Sequence, residues 1–133
     1  MTQWIAAYVA AAIVFAGLDA LWLGLVARGL YQREFGSLLL EKPNMVAAVI
    51  FYALYLVGVV VFAVKPGLDS GSWTKVVVYG ALFGLIAYAT YDLTNLATLK
   101  GFPFKVVIPD LLWGMFVTTA AGLAGYAAAS RFS

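Results

Sequence analysis

The chain has 133 residues, of which 65% are hydrophobic and 11% charged, with a formal net charge of +2 and neither cysteine nor histidine. An ordinary soluble domain carries roughly a quarter of its residues as charges, so a water-soluble fold is excluded. The missing residue types exclude thiol redox chemistry, disulfides, the usual zinc sites and histidine-ligated haem, and no cofactor is expected.

Four apolar runs are predicted to be transmembrane helices, at about 4–27, 45–64, 75–98 and 106–129. Each is close to the ~20 residues that a helix rising ~1.5 Å per residue needs to cross ~30 Å of hydrocarbon. The runs are rich in Ala, Leu and Gly and lack the alternation of a membrane β-barrel. Helices satisfy every backbone group in lipid, so the expected fold is all-α: one polytopic four-helix transmembrane bundle over 1–133. The connections at 28–44, 65–74 and 99–105 are too short to fold independently.

The first run holds Trp4 at the expected interface, then Asp19 and Trp22 three residues apart on one helical face. Its neutral start and internal aspartate fit a mature helix rather than a cleaved signal. In the connection that follows, Tyr31, Phe35, Leu38 and Leu39 recur at helical spacing beside Arg33, Glu34, Glu41 and Lys42. That pattern reads either as a short amphipathic helix on the membrane surface or as a polar loop broken at Gly36 and Ser37. The second run carries Tyr52 and Tyr55, and the third opens near a second interface residue, Trp73. Within the third, Gly80 and Gly84 form a small-xxx-small pair suited to close helix packing. Tyr88 and Tyr91 follow, and Asp92 and Asn95 share a face with Tyr88. The fourth run tolerates Pro109 near its start and repeats the acid–indole spacing in Asp110 and Trp113. Acid–indole pairs outside and tyrosine pairs inside, in mirror order, hint at an internal duplication.

Asp19, Asp92 and Asp110 each cost ~2.5–3.5 kcal/mol at the centre of a membrane helix, so each needs a reason. Counted from the helix ends at ~1.5 Å per residue, they lie roughly 6–10 Å below the same face. Together with Trp22, Tyr52, Tyr55, Tyr88, Tyr91, Asn95 and Trp113 they make a candidate binding cavity, acidic and aromatic. Such a cavity suits a cation or a polar head bearing an amine or hydroxyls. The structural alternative is that the acids only tie helices together, through hydrogen bonds averaging ~0.6 kcal/mol, and that Trp22 and Trp113 are interface anchors.

Arg28, Arg33, Lys42, Lys100 and Lys105 flank one membrane face, against Lys65, Lys75 and Arg131 on the other. The bias places the first face in the cytoplasm and both termini on the periplasmic or extracellular side. The basic residues are scattered along loops, which gives no support for nucleic-acid binding.

The series Asp19-x-x-Trp22, Asn44, Phe51, Tyr52 and Tyr55, Tyr88 to Thr98, and Asp110-x-x-Trp113-Gly114 resembles a family of small bacterial membrane proteins, the domain of unknown function 2177. The resemblance covers nearly the whole chain, and Thr90 to Asn95 is its most specific part. It implies a four-span protein of the bacterial inner membrane and implies no reaction. From the residues, the leading expectation is a binding or transport protein whose cavity accepts a small polar, cationic or lipid-head ligand, with membrane lipids as natural partners. Four helices enclose little volume, so transport would call for a homodimer or a membrane protein partner. The alternatives are a lipid-modifying enzyme that uses the clustered aspartates and an accessory subunit of a membrane complex.

Overall fold

In the computed structural model, which describes residues 1–36 and 44–132, four helical spans run Thr2–Leu25, Met45–Ser70, Trp73–Thr98 and Phe104–Ser130. Helix α1 covers Thr2–Leu21 and widens into a π-helical turn over Trp22–Ala27, and α2 continues as Arg28–Phe35. Helix α3 covers Met45–Val59, passes through a second π-helical turn at Val60–Val64 and resumes as α4, Lys65–Ser70. Helix α5 is Trp73–Thr98 and α6 is Phe104–Ser130. All regular structure among the described residues is helical, as expected for an all-α four-span bundle.

The connection expected at 65–74 shrinks to Gly71 and Ser72, because the second span stays helical as far as Ser70. Pro66 has no N–H to donate and crowds the carbonyl one turn before it, and the wider π turn just ahead relieves that crowding. An ion pair from Lys65 to Asp69 at 2.7 Å and a bond from Ser70 Oγ to the Pro66 carbonyl at 2.8 Å consolidate the last turn. Gly71 then ends the helix at φ +67°, a conformation that costs glycine nothing.

Helix α6 is the axis of the bundle, packed mainly on α5 and α1. The core joins Ala11 and Phe15 of α1, Tyr55, Leu56 and Val59 of α3, and Val117 and Ala121 of α6. With lipid tails as apolar as leucine, close approach and hydrogen bonds bind the helices more than hydrophobicity does. Accordingly Gly84 rests against the Gly114 carbonyl and Thr118, where a methyl group would overlap both. Tyr55 and Thr118 share a hydrogen bond of 2.5 Å inside this core. Large apolar side chains such as Ile13, Leu54, Ile86 and Leu112 are exposed, as a lipid-facing surface requires.

Helix α2 shows that residues 28–35 are helical, and Gly36 at φ +53° follows it. The other part of the expected amphipathic segment, Leu38, Leu39, Glu41 and Lys42, lies outside the described residues. Tyr31 and Phe35 turn toward the bundle: the Phe35 ring meets Phe102 with centroids 5.4 Å apart. Asn44 starts α3 as its N-cap, accepting from the Ala47 amide at 3.1 Å.

Candidate functional site

At the end of the bundle away from the termini, the first, second, third and fourth spans enclose a cavity of about 760 Å³. Its volume falls within the ~300–1,000 Å³ usual for small-molecule sites. Asp19, Asp92 and Asp110 all stand in its wall, brought from three different helices. Trp22, Tyr52, Tyr88, Tyr91 and Trp113 complete most of the expected set. Two of the expected residues stand elsewhere. Tyr55 is buried in the core on Thr118, and Asn95 lies next to Tyr91 outside the wall.

The three carboxylates differ in what holds them. Asp19 accepts from the Tyr52 hydroxyl at 3.0 Å and from the Trp113 indole N–H at 3.4 Å. Asp110 accepts from the Tyr31 hydroxyl at 2.5 Å, and Tyr31 in turn receives the Trp22 indole N–H at 3.3 Å. The chain Trp22–Tyr31–Asp110 thus links the end of the first span, α2 and α6. Asp92 is fully buried, and neither of its oxygens has a hydrogen-bond partner among the described residues. No described donor reaches it as a carboxylate, but its carboxyl neighbours that of Asp110, with which it interacts through charge and, when one of the two is protonated, through a side-chain hydrogen bond. An unpartnered buried carboxylate is among the most costly groups a fold can carry.

Aromatic rings shape the rest of the wall. Trp22 and Trp113 stack with centroids 4.6 Å apart and planes 8° from parallel. Gly114 makes room for Tyr88, whose ring fills the space that a side chain there would take. The Tyr88 hydroxyl is left within electrostatic reach of Asp19 and Asp110. On the outer side of α5, Thr90, Thr94 and Thr98 each donate to the carbonyl four residues back, so their hydroxyls need nothing from lipid. The motif from Thr90 to Asn95 therefore divides: its threonines serve the helix, and Tyr91 and Asp92 face the cavity.

Tyr31 and Phe35, both part of the amphipathic pattern in the sequence, also stand in the wall, and Tyr31 is the one that bonds an acid. Burial pushes the Tyr31 hydroxyl well above the usual tyrosine range, and the bond to Asp110 adds to the shift. It therefore remains a neutral donor at any physiological pH. Asn44 and Phe51 also reach the cavity. A second, shallower cleft of about 660 Å³ lies at the other end of the bundle, between Val61 and Phe62 on one side and Tyr79 to Ile86 on the other.

A family model described as "Predicted membrane protein (DUF2177)" matches residues 4–127. No curated protein and no solved structure matches the chain.

Proposed function

The chain belongs to the DUF2177 family of predicted membrane proteins, and from that premise we propose that it is a membrane-embedded binding or transport protein. Its cavity takes a small polar, cationic or lipid-head ligand through Asp19, Asp92 and Asp110. The observation that carries this reading is Asp92: fully buried, in the wall of a cavity large enough for a ligand, and without a partner for either oxygen among the described residues. An acid retained only to tie helices would be bonded, as Asp19 and Asp110 are. An ionisable group held in such a position points to function more than to packing.

The reading also places the protein in a bacterial inner membrane, with the cavity end of the bundle in the cytoplasmic half. Thermal unfolding of the purified protein against a panel of polar solutes, amines and short-chain lipids tests it. A ligand at about 100 times its Kd stabilises the folded state by about 2.7 kcal/mol, enough for a clear rise in Tm. Stabilisation of wild type that is lost in Asp92→Asn supports the reading. If no addition raises the Tm of wild type, the cavity is structural only, and stabilisation that Asp92→Asn keeps in full removes Asp92 from the site.

A further inference from the structure

We propose that the ligand presents a primary ammonium group, held between Asp92 and Asp110 by its N–H donors. The inference rests on the cavity being the binding site and goes further by stating the chemistry of the occupant.

The cavity donors that reach its acids are neutral: two tyrosine hydroxyls and an indole N–H supply Asp19 and Asp110. Among the residues whose side chains are described the one salt bridge is Lys65–Asp69, in α4 at the far end of the bundle. The residues whose side chains are described therefore supply hydrogen bonds to two of the acids and an ion pair to none. Two neighbouring carboxyl groups in a low-dielectric site are balanced by a shared proton or by a cation.

Each ligand class meets this wall differently. A phosphate or carboxylate brings the wrong charge to three acids. A neutral polyol brings donors without charge, and a quaternary ammonium brings charge without donors. A primary ammonium brings both, with three N–H groups for the buried Asp92 oxygens that no described donor reaches and for the remaining acceptor capacity of Asp110. The parts of the Trp22–Trp113 pair that line the cavity, together with Phe51, give its carbon portion an apolar surface. Such a group arrives either on a small aqueous amine or on the head of an aminophospholipid.

The test uses the full chain in detergent near neutral pH. One arm titrates an alkylamine and its mono-, di- and trimethylated forms, which keep the charge while removing N–H donors one at a time. Hydrogen bonds to charged groups are worth about 1.5–3 kcal/mol, so affinity should fall by about tenfold or more from the primary to the quaternary member. In Asp92→Asn that preference should shrink by a similar factor. A second arm compares ethanolamine with short-chain phosphatidylethanolamine, phosphatidylcholine and phosphatidylglycerol, and so separates the aqueous source from the lipid. Tightest binding by either primary amine supports the inference and names its source. Affinity that stays level or rises with methylation, or that is highest for phosphatidylglycerol, overturns the ammonium assignment and leaves the cavity as a binding site. Failure of every compound to bind cooperatively melting wild type sinks both, and leaves a shared proton as the partner of Asp92. Should Asp92→Asn fail to insert, the methylation series on wild type still decides.

Discussion

Tyr52 and Tyr55 stand one turn apart on α3 and carry the same hydroxyl into different surroundings. Tyr52 donates to Asp19 in the cavity, and Tyr55 meets Thr118 in the core. Tyr55→Phe should therefore cost stability, by about 0.6–1.7 kcal/mol as for other interhelical hydrogen bonds in membranes, and leave ligand affinity unchanged. Tyr52→Phe should instead tighten the binding of an amine, because it frees an Asp19 oxygen in the cavity wall to accept from it. Thermal melts with and without a bound amine separate the two, and an equal change of affinity in both would contradict the division. Among the glycines, Gly84→Ala forces a methyl group onto the Gly114 carbonyl and should lower stability by about 1–3 kcal/mol or more. Gly17→Ala, with nothing within 4 Å of the added carbon, should be neutral or better in the same melts. At this scale the sequence made the acids legible, since charge in an apolar run is conspicuous and helix rise gives depth. Tyr31 was not legible as their partner. Its bond to Asp110 spans 79 residues, and local spacing carries no record of such a pairing.

Among the described side chains, the Tyr31 bond to Asp110 and the Phe35 ring on Phe102 hold helix α2 at the cavity. Tyr31→Phe keeps the ring and removes the hydroxyl that joins Trp22 to Asp110. Amide hydrogen exchange over Arg28–Phe35 should then speed up, with the spans unchanged; unaltered protection would mean that ring packing alone holds the helix. The same residue gives a pH dependence with a defined sign. Its ionisation is raised in the fold by burial first, above the value of 10.0 for a free side chain. The unfolded chain thus loses the proton before the folded one does, and stability falls as pH rises above about 10. Tyr31→Phe should flatten that alkaline decline in urea or thermal unfolding curves. Helix periodicity announced this segment, yet amphipathicity alone could not say whether its aromatic side meets lipid or protein. The second span was underestimated for a related reason: Lys65 to Ser70 is polar enough to read as loop, and the ion pair and π turn that keep it helical depend on spacing and geometry rather than on hydropathy.

Across the molecule, the number of spans and their order followed from hydropathy because lipid tolerates no other backbone arrangement. The basic residues predict which way the bundle points, with both termini outside the cytoplasm. Alkaline phosphatase joined to the C-terminus should be active, and a fluorescent protein in its place dark; the reverse would put the cavity end outside. How the helices meet was less legible, since every span is apolar on most of its circumference and only the small residues mark the seams. Those seams have a consequence for how such a molecule can change. Gly122 and Gly125 of α6 pack on Val76, Val64 and Ala7 toward the end of the bundle that carries the termini. The acids and their tyrosines occupy the opposite end. Much of the close packing and most of the acidic wall are thus drawn from separate stretches of the same helices, so the lining of the cavity could change without renegotiating the fold.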